Sequence, residues 1–146
     1  MSQVGLMANL AASAQDVNIR NMARGQFIAI IDDDPAVLKA LKRLLSARSY
    51  QAETYESAEA FLASLPKSLP ECLIVDLQMP DMTGLELQKH LLRSGIQIPV
   101  IIITAHDEAG ARERCKSAGA VTLLSKPLQE SVLLAAIDDA TTRPRC

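Results

Sequence analysis

The sequence CLIVDLQMPDMTG, residues 72–84, contains the clearest structural signal of this chain. Its first four residues are apolar and do not alternate with polar ones, which is typical of a strand covered on both faces. The apolar run stops abruptly at Asp76. Thr83 and Glu86 then form a capping box, which marks the start of a helix. This stretch therefore predicts a buried parallel strand with a carboxylate at its carboxyl end, followed by a helix.

Three further apolar runs end on polar residues that can take part in phosphate chemistry. Segments with helical spacing of apolar residues lie between the runs, and a weaker, more exposed strand is predicted at Tyr50–Tyr55. The order βαβαβαβαβα indicates an α/β fold with a doubly wound, five-stranded parallel sheet between helices. The three runs and the residues that follow them are Phe27–Ile31 with Asp32, Asp33 and Asp34, Val100–Ile103 with Thr104, and Val121–Leu124 with Ser125 and Lys126.

Helix boundaries are marked by side chains that cap free backbone groups. Asp34 precedes Pro35 and is expected to cap the first helix, and Ser57 is expected to cap the second. Asp107 is the expected cap of the fourth helix, which should end at Gly119. The last helix should contain Val132–Ile137.

The composition is that of a single globular domain. The chain has 146 residues, of which 49% are hydrophobic and 22% charged. A net charge of −2 gives no reason to expect nucleic acid or an anionic membrane as a partner. No apolar stretch approaches the roughly 20 residues that span a bilayer. Cys72 and Cys115 are interpreted as buried reduced thiols, and the expected location is the cytoplasm.

The carboxyl ends of parallel strands meet at one edge of a sheet, which is where open α/β sheets bind ligands. Asp32, Asp33 and Asp76 should converge there. Like charges so close together raise one another's pKa unless a cation neutralises them. Carboxylate oxygens at so few positions suit Mg²⁺, which completes its shell with water and phosphate. Asp34 is explained fully by its capping role.

The other strand ends complete a site for phosphoryl transfer. Asp76 continues its strand directly and could attack phosphorus in line if a metal reduced the charge repulsion. An ammonium at Lys126 could pair with Asp76 at rest and with a phosphoryl oxygen afterwards. A hydroxyl at Thr104 could donate to another phosphoryl oxygen. Each residue alone is a weak signal, but together at successive strand ends they are a strong one.

With these residues the sequence resembles the response-regulator receiver domain of two-component signalling. The resemblance covers about Phe27 to Ala140, and it implies a flavodoxin-like (βα)5 fold with strand order 2-1-3-4-5. We therefore expect an N-terminal extension at 1–25 that is mobile or weakly helical, a receiver domain at 26–140 and a C-terminal tail at 141–146. The motifs that carry the resemblance are IIDDD, IVDLQMPDMTGLEL, IIITA and GA…SKPL.

The resemblance also implies a role for each site residue. Asp76 would be the phosphoacceptor, and Asp33 and Asp76 would bind Mg²⁺ directly together with the backbone carbonyl of Gln78. Asp32 would act through water. Thr104 and Lys126 would contact the phosphoryl group, and the bond from Lys126 to its following proline would be cis.

One position departs from the family pattern. Leu123 stands where many receivers carry Tyr or Phe, so the switch either works by repacking without a ring or has a muted output. Gln78 and His106 lie at positions that tune phosphate lifetime in the family. For His106, an ordinary loop histidine is an equally good interpretation.

The expected function is that of a phosphorylation switch and not an enzyme. The expected partner is a sensor histidine kinase or a phosphotransfer protein, with phosphorylation-linked homodimerisation as a further hypothesis. A receiver that acts without phosphorylation is one alternative. An aspartyl-nucleophile phosphatase is a weaker one, because such enzymes carry an acid where Gln78 lies. The chain is either a stand-alone receiver or a fragment of a longer regulator.

Overall fold

Five strands and five helices alternate along the residues that the structure, a computed structural model, describes: 27–65, 67–105 and 110–142. Both kinds of element follow the predicted order. They are β1 (Ile28–Ile31), α1 (Pro35–Ala47), β2 (Ala52–Tyr55), α2 (Ala58–Ser64), β3 (Cys72–Asp76), α3 (Gly84–Arg93), β4 (Val100–Thr104), α4 (Ala111–Ser117), β5 (Thr122–Ser125) and α5 (Glu130–Thr142).

The strands form one parallel sheet in the order β2-β1-β3-β4-β5. This confirms the predicted order 2-1-3-4-5. In the register of the sheet, Asp76 lies opposite Ile103, and Thr104 lies opposite Ser125. The polar strand ends are therefore neighbours along a single edge, which positions the site described below.

Helices cover both faces of the sheet, and each face has its own hydrophobic core. Phe61, Leu87 and Cys115 come from α2, α3 and α4 and pack on one face. Leu41 and Ile137 come from α1 and α5 and pack on the other. Every residue of β1, β3 and β4 is buried. These strands need apolar side chains in both directions, which explains why their sequences do not alternate.

The predicted caps of the first three helices are present. The Asp34 side chain accepts from the N–H of Ala36, with proline at the start of α1. Ser57 accepts from Ala60 at the start of α2. The capping box between the Thr83 and Glu86 side chains and backbone is complete at α3. Each contact satisfies an N–H group that has no partner inside its helix.

The predicted start of the fourth helix is wrong. Helix α4 begins at Ala111, after Gly110 with φ 81°, and this start has no side-chain cap. Glycine reaches this left-handed conformation without strain, and that conformation ends any helix begun earlier. Asp107, the expected cap, lies outside the described residues. The last helix ends at Thr142, two residues inside the predicted tail.

Several other predictions have a simple outcome. Cys72 and Cys115 are free and buried, as expected. Burial raises the pKa of the Cys72 thiol to about 12, so this thiol stays protonated. None of the described helices is long and apolar enough to cross a membrane. The N-terminal extension lies outside the described residues.

Candidate functional site

Three carboxylates meet at the carboxyl edge of the sheet. Asp32 and Asp33 follow β1, and Asp76 ends the neighbouring strand β3. One oxygen from each side chain lies within 4.8 Å of those from the other two. Asp32 and Asp76 are buried, with 2% and 7% of their surface exposed, and Asp33 faces solvent. The sheet order produces this cluster because β1 and β3 are adjacent.

Lys126 supplies a positive charge inside this cluster. It follows β5, and its Nζ lies 3.5 Å from Oδ2 of Asp76. The same Nζ lies 3.3 Å from Oδ2 of Asp32. The pairing with Asp76 was predicted, whereas the one with Asp32 was not. The ammonium of Lys126, which follows the edge strand β5, therefore bridges the carboxylates at the ends of β1 and β3.

The site perturbs the ionisation of two of its members. Burial raises the pKa of Asp76, the charge of Asp32 raises it further, and Lys126 offsets part of this effect. Burial lowers the pKa of Lys126, but the charges of Asp76 and Asp32 outweigh burial and leave it above the ordinary value. A carboxylate with a raised pKa pays a free-energy cost for its negative charge, so it favours a cation nearby.

Backbone groups orient the side chains. The N–H of Asp34 donates to Oδ1 of Asp32 at 2.9 Å, so Asp34 positions the site in addition to capping α1. The N–H of Gln78 donates to Oδ1 of Asp76 at 3.4 Å. The N–H of Lys126 donates to the carbonyl of Thr104 at 2.8 Å. The peptide bond from Lys126 to its proline is cis, as the resemblance implied.

Thr104 ends β4 at the same edge and is fully buried. Its hydroxyl donates to Oε1 of Gln78 at 3.3 Å. The Gln78 side chain is exposed at the mouth of the site. The sequence predicted that the backbone carbonyl of Gln78 binds Mg²⁺ and that this position tunes phosphate lifetime. It did not predict the contact between the Gln78 side chain and Thr104, because no sequence pattern specifies it.

Gly84 is a second residue that sequence reasoning missed. A Cβ built on Gly84 would lie 2.6 Å from the carbonyl oxygen of Asp76, closer than real Cβ contacts come. The N–H of Gly84 donates to the carbonyl of Leu77 at 3.0 Å. Helix α3 therefore begins in direct backbone contact with the end of β3. The signal was the glycine at the first helical position, where most residues would form a helix more readily.

Leu123, which stands where many receivers carry Tyr or Phe, lies in the core. Leu123 is buried against the face that contains α4. Its carbonyl accepts from Nη1 of Arg112 at 3.1 Å, which ties the first turn of α4 to the edge strand β5. His106, the other expected tuning residue, lies outside the described residues.

The donor chemistry of the site fits Mg²⁺. Among the described residues, three carboxylates can each offer one oxygen, and two of them, Asp32 and Asp76, share the ammonium of Lys126. Hard oxygen ligands in small number, with room for water and phosphate, are what Mg²⁺ prefers. The raised pKa of Asp76 indicates that the negative charge is not fully compensated by the protein.

Comparison with known proteins gives a consistent family. The family model described as the response regulator receiver domain matches residues 28–138. The response regulator protein TodT of Pseudomonas putida is 41% identical over 120 residues, which are 82% of this chain and 53% of TodT. The transcriptional regulatory protein FixJ of Rhizobium meliloti is 38% identical over 114 residues, 78% of this chain and 56% of FixJ. This chain thus spans about half the length of these curated relatives.

Solved structures agree with the sequence comparisons. The crystal structure of FixJ-N has a TM-score of 0.77 and 35% identity, and covers 84% of this chain and 98% of its own. The response regulator receiver protein from Burkholderia phymatum has a TM-score of 0.72 and 38% identity, with 82% and 98% covered.

Proposed function

This chain belongs to the response-regulator receiver domains of two-component signalling, and from that premise we propose that it is switched by phosphorylation of Asp76. Receiver domains are signalling domains, so the reaction serves to change a surface. The observation that carries the proposal is the position of Asp76. Its carboxylate ends a central strand, pairs with Lys126 at 3.5 Å and lies beside Asp32 and Asp33.

The proposed donor is a phosphohistidine on a histidine kinase or a phosphotransfer protein. A carboxylate oxygen of Asp76 forms a bond to phosphorus while the bond from phosphorus to the histidine nitrogen breaks. The electron pair of that bond returns to the imidazole, and the product is an acyl phosphate on Asp76. Such transfer depends mainly on positioning and on charge stabilisation.

Asp32, Asp33, Asp76 and the backbone carbonyl of Gln78 would hold Mg²⁺. When bound, the ion neutralises charge on the phosphoryl oxygens and on the carboxylates. The chain's own residues orient the nucleophile, because the Gln78 N–H and the Lys126 ammonium hold the two oxygens of Asp76 from different sides.

After transfer, the residues at the ends of β4 and β5 respond to the new charge. The Lys126 ammonium exchanges the Asp76 carboxylate for a phosphoryl oxygen, and the Thr104 hydroxyl donates to another. Because the Lys126 N–H is bonded to the Thr104 carbonyl, the two ends move together. Helices α4 and α5 follow these strands and would present the altered surface.

The predictions about binding partners and location are also part of this proposal. A kinase or phosphotransfer protein is the proposed partner, and homodimerisation linked to phosphorylation stays a prediction, as do the cytoplasmic location and the lack of nucleic-acid and membrane partners. The whole activity of longer relatives such as TodT is not implied by a match to about half of their length.

The test is mass spectrometry of the protein after incubation with acetyl phosphate and Mg²⁺. We expect one added phosphate on the parent and none on Asp76→Asn. The matched control is Asp81→Asn, an exposed turn residue with φ 70° that asparagine also adopts readily. It should be phosphorylated like the parent.

Two other results would contradict the proposal. An unlabelled parent would favour the receiver that acts without phosphorylation. Sustained phosphate release from many phosphoesters would favour the phosphatase. Gln78 argues against the phosphatase, because an amide two residues after the nucleophile cannot serve as a general acid.

A further inference from the structure

The Gln78 side chain connects the two strand ends that carry the proposed phosphoryl chemistry. Its Oε1 accepts from the hydroxyl of Thr104 at 3.3 Å. Its backbone N–H donates to Oδ1 of Asp76 at 3.4 Å. One exposed residue therefore contacts both the proposed phosphoacceptor and the hydroxyl that should later bind the phosphoryl group.

We propose that Gln78 is a positioning residue whose side-chain carbonyl holds Thr104 in its resting orientation and so opposes activation. This inference rests on the proposed function, since it concerns the change that phosphorylation of Asp76 would cause. A hydroxyl has one proton to donate. Thr104 donates it to Gln78 at rest, so Thr104 must release Gln78 before it can donate to a phosphoryl oxygen.

The geometry suits a contact that is made and broken. O–H···O hydrogen bonds in proteins usually measure about 2.5–3.0 Å, so the contact at 3.3 Å is a weak one. The Thr104 side chain is buried, so its hydrogen bond to Gln78 does not compete with bulk water at the hydroxyl. The Gln78 amide is exposed and water can replace Thr104 when the contact breaks. The acceptor thus stabilises the resting state without making it permanent.

The effect of this contact extends beyond Thr104. The Thr104 carbonyl accepts from the N–H of Lys126 at 2.8 Å, so the end of β4 and the residue after β5 are joined. A shift of Thr104 away from Gln78 would also shift the backbone that carries Lys126. The side chain of Gln78 therefore acts on both groups that should bind the phosphoryl oxygens.

The variant Gln78→Met tests this role, because it removes the acceptor and keeps the length of the side chain and the backbone groups. We would measure the affinity of the protein for beryllofluoride, a phosphoryl mimic, in the presence of Mg²⁺ by calorimetry. Loss of one weak hydrogen bond from the resting state should raise that affinity about 2- to 10-fold. Gln51→Met, at an exposed glutamine on the opposite edge of the sheet, should leave it unchanged.

A double-mutant cycle separates this role from any other effect of residue 78. In a Thr104→Val background no hydroxyl remains to be held, so adding Gln78→Met should not change the affinity for beryllofluoride. As a second readout, the Thr104 methyl resonance of unliganded Gln78→Met should move toward its position in the beryllofluoride-bound parent.

The outcomes distinguish the inference from the function on which it rests. If the parent does not bind beryllofluoride, the proposed function fails, and this inference fails with it. If the parent binds but Gln78→Met has the parent's affinity, or changes the affinity equally with and without the Thr104 hydroxyl, the inference alone is overturned.

Discussion

The carboxylate of Asp76 is buried and lies near another negative charge, and both features destabilise its ionised form. The side chain is 7% exposed, and Asp32 lies beside it. Lys126 pairs with both residues and reduces the free-energy cost without removing it. A carboxylate in this environment is stabilised when a cation binds beside it or when it forms a bond to phosphorus.

This environment predicts how stability depends on pH in metal-free buffer. The pKa of Asp76 is raised above 3.8 in the folded state, first by burial and then by Asp32. Between the unfolded and folded pKa values the native state binds more protons, so the Asp76 contribution to stability falls as the pH rises through that window. At pH 7 its ionisation destabilises the fold, and Asp76→Asn should melt at a higher temperature than the parent.

Thermal unfolding of the parent and of Asp76→Asn from pH 7 down to about pH 4 would measure this effect. The advantage of the variant should shrink as the pH approaches the ordinary range of an aspartate. Asp81→Asn serves as the control. A difference between parent and variant that is independent of pH would contradict the assigned environment of Asp76.

At the scale of residues, the sequence predicted which side chains meet but not how they touch. Asp32, Asp33, Asp76, Thr104 and Lys126 follow strands whose ends must share one edge, so their convergence was predictable. The bond between Lys126 and Asp32 and the contact between Thr104 and Gln78 depend on distances of a few tenths of an ångström. Those distances come from the packing of separate elements, and no local pattern encodes them.

Among the elements, helix α3 is the one most directly attached to the site. Gly84→Ala would place a Cβ 2.6 Å from the carbonyl oxygen of Asp76. Both atoms are fixed by the backbone, so a side-chain rotation cannot relieve the clash. The start of α3 or the end of β3 must move. We expect a loss of about 1–3 kcal/mol in the free energy of unfolding and slower incorporation of phosphate from acetyl phosphate.

Gly95→Ala, just beyond the other end of α3, separates stability from function. Gly95 has φ 73°, and a Cβ there would meet nothing within 4 Å. Its replacement should cost about 1–2 kcal/mol through backbone strain but leave phosphate incorporation unchanged. Urea denaturation and the phosphorylation assay would be run on both variants. Equal rates for Gly84→Ala and the parent would show that the close approach does not matter to the site.

The link between α4 and β5 offers a second test at this scale. Arg112→Ala removes the donor to the carbonyl of Leu123, and one such hydrogen bond contributes about 0.5–1.5 kcal/mol. We expect a loss of at least that size in urea denaturation. Lys116→Ala, exposed on the same helix, is the control and should have a much smaller effect. Equal stability of Arg112→Ala and the parent would contradict a tethering role.

The elements themselves were largely predictable, and the exception has a local cause. The four strands predicted from apolar runs begin and end within one residue of their predicted limits, because long apolar runs and abrupt polar ends are strong signals. The capping box of α3 was found for the same reason. The start of α4 was not, because Asp107 looked like a cap while the left-handed Gly110 decided where the helix could begin.

For the whole molecule, Mg²⁺ should act as a stabilising ligand. A ligand that binds only the folded state stabilises it by about 2.7 kcal/mol at a hundredfold excess over its Kd. The melting temperature of the parent should therefore rise with added MgCl₂ and return to its first value with EDTA. Asp33→Asn should lose most of this response, because the variant lacks one of the three carboxylates that would bind the ion. Asp33 is the exposed member of the cluster, so its replacement should disturb the fold least. Asp81→Asn should keep it.

An equally large response in Asp33→Asn would mean that Mg²⁺ stabilises the chain from elsewhere. The two cores of the sheet lie on its faces, away from the carboxyl edge. The fold should therefore tolerate these substitutions, and the comparison of melting temperatures is a fair one.

The carboxylate cluster has the same formal charge as the entire chain. Asp32, Asp33 and Asp76 with Lys126 carry three negative charges and one positive charge, a formal sum of −2, which equals the formal net charge of all 146 residues. The rest of the chain is thus balanced. A divalent cation held there would bring the total to zero, where proteins associate and precipitate most readily. Migration toward the anode in a native gel would then slow as the cluster fills, and chelators would favour concentrated storage.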